Sequence, residues 1–251
     1  MLEYNTLFEH VNKVENAIKL IRENEPDDGY VVAFSGGKDS CVVLDLTKRA
    51  GVKYEARFSV TSVDPPELLD FIKEHHPEVV WRYPKESMFE LIVRFRIMPT
   101  RVSRFCTSRL KERFGKNETT ILGIRRSESR TRANRPTVEY RQSRKLVHPI
   151  VDWSYDDVWE YIHSQKLPYC SLYDEGFHRI GCVMCACQSP HVRRREAARW
   201  PEIAQKYREA ANEAIARGQK SGIPHVAKTG DELYELWLSD RLFASRHPKL
   251  F

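Results

Sequence analysis

No stretch of this 251-residue chain approaches the ~18 consecutive apolar residues that a membrane-spanning helix needs. The opening Met1-Leu2-Glu3-Tyr4-Asn5 is too polar and acidic for a signal peptide. Both absences lead to the expectation of a cytoplasmic protein with no membrane partner. Internal repeats and low-complexity tracts are also missing, and the length suits one large α/β domain or a domain with a helical appendage. Six cysteines without an export signal argue against a disulfide framework and for reduced thiols, a metal or a cluster. None of them lies beyond Cys187.

Positive charge is present in excess but is not spread evenly. The formal net charge is +6, yet residues 101–145 alone hold fourteen Lys and Arg against four Glu. A basic block of this kind points to a polyanionic partner, which could be the phosphates of a nucleotide or the backbone of a nucleic acid. A solvated basic face is the plainer alternative for any single arginine in it.

The first segment carries Leu7, Val11, Val14, Ile18 and Ile21 at three- and four-residue spacing, which predicts an amphipathic helix stopped by Pro26-Asp27-Asp28-Gly29. Strands are expected at Tyr30–Phe34, Lys53–Val60, Val79–Arg82 and Thr119–Ile124, with helices at Cys41–Leu46, Pro66–His75 and Ser87–Arg96 between them. That alternation implies an α/β fold with a doubly wound, mainly parallel sheet and ligands at the carboxyl ends of its strands. Helices are expected at Tyr155–Gln165, Arg193–Arg217 and Asp231–Phe243, with the best hinge at Arg217–Gly222. The expected division is therefore 1–165, a nucleotide-binding α/β domain with its amino-terminal helix, and 166–251, a cysteine-bearing segment and a helical carboxyl-terminal region.

Between the first expected strand and the next helix stands Ser35-Gly36-Gly37-Lys38-Asp39-Ser40. A strand, a glycine turn and a helix start together cradle an anion, because backbone N–H groups point into the turn and the helix dipole favours negative charge there. The order differs from the Walker sequence, so the usual nucleotide-triphosphatase reading fails on spacing. Gly123-Ile124-Arg125-Arg126-Ser127-Glu128-Ser129-Arg130 follows a strand end, and so is expected to face the same crevice. Guanidinium groups bind phosphate oxygens bidentately, which makes Arg125 and Arg130 the phosphate candidates. Asp39 and Asp64 are candidates for Mg2+, although Asp64 could instead cap the next helix. Cys182 and Cys185 form a C-x-x-C, with Cys187 two residues on and Cys106 far upstream. These four suit a [4Fe-4S] cluster or zinc, the close pair Cys185 and Cys187 being unusual for zinc. Cys41 reads as a core residue, and Cys170 as structural, a sulfur carrier or the fourth ligand.

The loop at 35–40 resembles the PP-loop of the ATP pyrophosphatases, an adenine nucleotide alpha hydrolase-like fold. More broadly, the chain resembles the phosphoadenosine phosphosulfate reductase family. The likeness runs through Val63-Asp64-Pro65-Pro66-Glu67, Arg104-Phe105-Cys106 with Leu110-Lys111, Gly123-Ile124-Arg125 with Glu128-Ser129, Pro149–Trp153 with Asp157-Val158-Trp159, Leu172–Phe177 and Ile180–Cys185. The resemblance implies ATP and Mg2+ as cofactors, with Ser35, Lys38, Asp39 and Arg125 as the catalytic set. Ser35, Gly36, Gly37, Lys38, Asp39, Ser40, Asp64, Gly123, Arg125 and Arg130 would hold the nucleotide. Reductases of the family carry a catalytic cysteine in a glutamate-cysteine-glycine-histidine tail, whereas this chain ends Ser245–Phe251 without one. Cluster-bearing adenylyl-sulfate reductases show a tandem Cys-Cys where Cys106-Thr107 stands here. ATP sulfurylase small subunits share the loop but do not explain the cysteines. What remains is similar to the ATP pyrophosphatases of DNA phosphorothioation systems and to cluster-containing tRNA thiolases. That likeness implies ATP-dependent sulfur transfer to nucleic acid, DNA ahead of tRNA, with a cysteine desulfurase as sulfur donor and a homodimer as the assembly to test. A sulfonucleotide enzyme and a non-catalytic nucleotide- or cluster-sensing protein are the alternatives.

Overall fold

The computed structural model describes residues 1–5, 10–111, 117–141, 143–220 and 226–244. An antiparallel pair, β1 (Glu3–Asn5) and β2 (His10–Asn12), precedes the first helix, α1 (Lys13–Glu23). That helix starts later than its apolar spacing predicts. Val11 lies in β2, and the Asn12 side chain accepts from the N–H groups of Val14 and Glu15, each at 3.0 Å, which fixes the start. Leu7 lies outside the described residues, as do Ser221 and Gly222 of the expected hinge and the ending Ser245–Phe251.

The chain continues through β3 (Tyr30–Phe34), α2 (Lys38–Ala50), β4 (Tyr54–Ser59), α3 (Pro66–His75), β5 (Val80–Arg82) and α4 (Met88–Phe95). It then forms β6 (Thr120–Ile121), β7 (Val138–Arg141), β8 (Arg144–Val147) and α5 (Tyr155–Ser164). Six strands build one sheet in the order β5-β4-β3-β6-β8-β7, parallel throughout except for β7 against β8. From β3 the chain builds outward through β4 to β5 and then returns to place β6 on the other side, so the sheet is doubly wound and its order reverses at β3. The β7–β8 hairpin is hidden in the sequence because β7 is an edge strand and most of the hairpin lies in the basic block; Tyr140 and Arg141 are exposed.

The last third is helical: α6 (Pro190–Arg199), α7 (Pro201–Lys220), α8 (Gly230–Leu238) and α9 (Arg241–Ala244). One helix was expected over 193–217, but Pro201 divides it, since the residue before a proline is pushed out of the helical region and Trp200 has ψ 71°. The segment 217–220 is the end of α7, with Gly218 buried, so the hinge reading fails there. Asp240, at φ 63°, separates α8 from α9.

By packing, the chain forms two units. One comprises Met1–Ser59, Pro66–Arg82 and Phe114–Ile180; the other comprises Val60–Pro65, Tyr83–Arg113 and Gly181–Phe251. The division thus falls after Ile180 rather than after Gln165, and residues 83–113 join the helical unit instead of the sheet. In the sheet unit, Val31, Val32 and Phe34 of β3, Phe58 of β4 and Val147 of β8 are buried along with Val42, Val43, Leu44 and Leu46 of α2. In the helical unit, the apolar face of α4 (Met88, Leu91, Ile92) packs on α7, and α7 packs on α8. Trp237 of α8 anchors there by donating its indole N–H to Pro99 O at 2.7 Å. No helix among the described residues is long and apolar enough to cross a membrane.

Asp157 closes the capping box of α5, accepting from Ser154 N at 2.7 Å, and it also accepts from the Lys13 ammonium and from the Met1 amino group, each at 2.5 Å. Burial works to raise its pKa, but Lys13, the amino group of Met1 and Ser154 outweigh it and hold the carboxyl well below its usual range. A depressed pKa stabilises the fold at any pH above the unfolded carboxyl value, and that contribution is lost as pH falls through the folded one. Asp157→Asn is therefore expected to cost about 2 kcal/mol at neutral pH, with the gap to the parent narrowing only below about pH 4. Urea denaturation across that range measures it; a gap independent of pH would show that ionisation contributes nothing.

Candidate functional site

Only Ser35, Gly36 and Gly37 lie between the end of β3 and the start of α2, so the turn is as tight as the chain allows. Gly36 has φ 71°, and a Cβ there would lie 2.6 Å from Leu68 Cδ1, so any other residue would be strained and would have to displace the Leu68 side chain. Ser40 Oγ binds the turn together, donating to Gly37 O at 2.7 Å and accepting from Ser35 N at 3.2 Å. Ser35 Oγ accepts from Gly37 N at 3.4 Å. The N–H of Lys38, at the first residue of α2, donates to the Tyr173 hydroxyl at 2.9 Å. The loop thus presents the helix start that an anion requires.

Charge at this loop is organised by Asp39. Its Oδ2 accepts from Lys38 Nζ at 2.8 Å and its Oδ1 from Arg125 Nε at 2.5 Å, and both cations are buried. Lys38 Nζ also lies over the rings of Tyr155, 5.1 Å away, and Tyr173, 5.8 Å away. Gly123 allows the approach, because a Cβ there would come within 2.9 Å of Asp39 O. The loops after β3 and β6 therefore meet where the strand order reverses, the usual ligand crevice of such sheets. Ser35, Gly36, Gly37, Lys38, Asp39, Ser40, Gly123 and Arg125 are brought together as expected from sequence. Arg130, by contrast, is exposed. Arg132, two residues on, lies with Arg179, Arg135 and Arg125, and burial followed by Arg179 and Arg135 lowers its pKa while Asp39 acts against them. Tyr173, Arg132 and Arg179 were missed in the sequence: the first two lie in stretches read for other residues, and Arg179 carries no motif.

The helical unit holds a second site. A cavity of about 50 Å³ is lined by Cys106, Cys182, Cys185 and Cys187, together with Lys111, Arg104, Thr61 and Tyr207. Cys106 opens onto a wide π-helical turn, Thr107–Lys111, that delivers Lys111 to Cys182. Cys182 Sγ donates to Thr61 Oγ1 at 3.4 Å. Burial pushes the Cys182 thiol up while Lys111 pulls it down, and Lys111 in turn is kept protonated chiefly by Cys182. Asp64 belongs to this unit. Its carboxylate accepts from the N–H and the hydroxyl of Thr61, both at 2.7 Å, and burial raises its pKa. Its oxygens thus shape the turn next to Cys182, and the candidate Mg2+ ligand of the sequence has Thr61 as its partner. Cys41 and Cys170 are buried in the sheet unit, away from the cavity lining; Cys41 Sγ lies 3.9 Å from His76 Nε2.

The donor set decides which metal group could fit. Among the described residues no three His, Cys, Asp or Glu side chains stand close enough to hold one metal ion. Zinc draws its sulfurs to about 2.3 Å from a single centre, so the zinc alternative lacks its geometry here. An iron–sulfur cluster is gripped from outside by thiolates spaced around several irons, and four soft thiols around one cavity, with an ammonium to offset their charge, fit that larger group.

The phosphoadenosine phosphosulfate reductase domain matches residues 29–188, from the strand before the PP-loop to the end of the cysteine segment. The chain belongs to the phosphoadenosine phosphosulfate reductase family. Adenosine 5'-phosphosulfate reductase 2 of Bacillus subtilis (strain 168) is 30% identical over 183 residues, 68% of this chain and 78% of that protein. Uncharacterized protein MJ0066 of Methanocaldococcus jannaschii is 31% identical over 220 residues, 80% of this chain but only 46% of its own length. The chain thus spans about half of that relative. A phosphoadenylyl-sulfate reductase from Candida auris, crystallised as a phosphate complex, superposes with a TM-score of 0.53 at 18% identity, covering 68% of this chain and 89% of its own, which shows the shared fold.

Gly123→Ala tests how closely the two crevice loops of this family member must meet. The added methyl has to displace the backbone of Asp39, so the variant is expected to lose about 2 kcal/mol of stability and to bind inorganic pyrophosphate about tenfold more weakly. Calorimetric titration and urea denaturation check the two effects, and unchanged pyrophosphate affinity would separate Gly123 from the anion site.

Proposed function

We propose that the chain is an adenylating sulfurtransferase that acts on nucleic acid, DNA before tRNA. The observation that carries this reading is the pairing, in one chain, of a phosphate loop backed by excess cations with a cavity lined by four thiols. In the first step an acceptor oxygen attacks the α-phosphorus of ATP, the bond to the β-phosphate breaks, and pyrophosphate leaves. The loop N–H groups, Lys38, Arg125 and Arg132 stabilise the charge that builds on the leaving group. Mg2+ would bind between Asp39 and the phosphates, as a hard cation on carboxylate oxygen. In the second step the terminal sulfur of a persulfide R–S–SH attacks the adenylated centre and AMP leaves, giving acceptor–S–S–R; a second thiol then attacks the sulfur attached to R, so that the acceptor keeps one sulfur and the two thiols depart as a disulfide. Cys106, Cys182, Cys185 and Cys187 would hold an iron–sulfur cluster, whose chemistry when bound is to present sulfur for transfer. Exposed Arg101, Arg104 and Arg109 in the same unit would take the acceptor backbone.

A second reading is favoured by the names of the relatives, several of which are adenosine 5'-phosphosulfate reductases at 27–30% identity. In it the loop and the arginines hold the phosphosulfate of an adenylyl sulfate, and a thiol attacks sulfur.

The deciding assay follows pyrophosphate and AMP release from ATP and Mg2+ by anaerobically purified protein, with DNA, tRNA or no acceptor, beside an adenylyl-sulfate control. Release stimulated by nucleic acid is expected; inertness toward ATP with consumption of the adenylyl sulfate would replace this reading with the second. Ser35→Ala, Asp39→Ala and Arg125→Ala are expected to lower turnover by about a hundredfold or more and to leave cluster absorbance intact. Cys182→Ser and Cys185→Ser should do the reverse, removing the metal and sparing ATP binding, as iron content and nucleotide titration will report.

A further inference from the structure

We infer that the four cavity thiols divide three and one: Cys106, Cys182 and Cys185 hold the metal group, while Cys187 is a solvent-facing thiol that accepts sulfane sulfur from a persulfide. The inference rests on the sulfur-transfer reading above and goes beyond it by assigning the point of entry. All four thiols line one cavity, but Cys182 is buried, Cys106 and Cys185 are half-buried, and Cys187 is exposed.

Cys187 is turned outward by its neighbours rather than by chance. Gln188, next to it, is tied three ways: its N–H donates to Cys185 O at 2.9 Å, its side-chain nitrogen to Glu196 Oε1 at 2.7 Å, and its carbonyl accepts from Arg101 Nη2 at 3.3 Å. On the other side Ala186 is buried. Glu196, itself buried, also accepts from the N–H of Met184, which sits in the left-handed region at φ 57°. Turning Cys187 inward would break these ties, so the segment holds one thiol at the mouth while its neighbours face the interior. Arg104 stands in the cavity wall and Arg101 at Gln188, so the mouth beside Cys187 is cationic.

The charging step is a thiol exchange. The Cys187 thiolate attacks the outer sulfur of a persulfide R–S–SH; the bond Cys187–S–SH forms, the R–S bond to that sulfur breaks, and R–S⁻ departs. The sulfane sulfur keeps its proton, and no outside oxidant or reductant enters.

The test uses the full chain, loaded with iron anaerobically and treated with glutathione persulfide, with cyanolysable sulfur and iron per chain measured together. Cys187→Ser is expected to keep its iron and lose sulfane sulfur uptake about tenfold, whereas Cys185→Ser loses its iron. Loss of iron in Cys187→Ser would make it a fourth ligand, and undiminished uptake would place the acceptor on another thiol; either overturns the inference. Pyrophosphate release by the parent, measured alongside, fails only if the sulfur-transfer reading fails, so the two are separable.

Discussion

Asp39 binds one cation with each carboxylate oxygen, and the phosphate crevice is organised around that division. Lys38 comes from the first turn of α2 and Arg125 from the loop after β6, so a single side chain ties together two loops far apart in sequence. Burying either cation without this carboxylate would leave an unpaired charge in a site that excludes water. The arrangement also bears on how the proposed phosphate would be received. Under the proposed reading, anionic oxygens would compete with Asp39 for Lys38 and Arg125, and Asp39 would be the residue left to hold a hard cation. Close packing of Gly123 on the Asp39 backbone holds the two loops at the distance this exchange requires.

The helical unit solves a different problem, which is to keep several thiols together without joining them to one another. The six cysteines are free, and the four at the cavity are carried by separate features: the start of the wide turn before Lys111 for Cys106, and the segment stapled to Glu196 for the rest. Glu196 does this because its carboxylate is buried and its two oxygens accept from two points of one loop, a use of a charged group that only pairing makes affordable. Tyr207 of α7 reaches the same loop with its hydroxyl, 3.4 Å from Val183 O, so the packing of α4, α7 and α8 supports the thiol geometry directly.

Much of the sheet unit was legible because its signals are local. Ser35–Ser40 between an apolar run and a helical pattern can only be a strand, turn and helix, and Pro66–His75 emerged with the limits its pattern predicts. The misreadings share a physical origin in tertiary override. Val11 keeps helical spacing with Val14, yet the Asn12 cap and the pairing of β2 with β1 place it in a strand. The edge hairpin at β7 and β8 is too charged to show alternation, and Pro201 ends a helix that periodicity alone would carry through. At the sites, residues within a motif were found and residues that reach it through space were not. Arg179 has no pattern of its own, while Tyr173 and Lys111 stand in motifs that were quoted without a role for them, and Lys111 gains its meaning when the turn Thr107–Lys111 brings it to Cys182.

Family membership leaves two nucleotides that the proposed site could serve, and charge provides a physical distinction. An adenylyl sulfate brings one phosphate and one sulfate to the loop. ATP brings three phosphates and releases pyrophosphate, whose charge grows as the bond breaks. Around Asp39 the crevice gathers Lys38, Arg125, Arg132, Arg135 and Arg179, crowded enough that Arg132 is pushed below the usual guanidinium range by burial and by its cationic neighbours. A protein accepts such repulsion where a bound anion relieves it, and the larger anion relieves more. Glu128 pairs with Arg132 and Glu139 with Arg135, so the five cations face three carboxylates, and it is the remaining excess that favours the larger anion under the proposed reading.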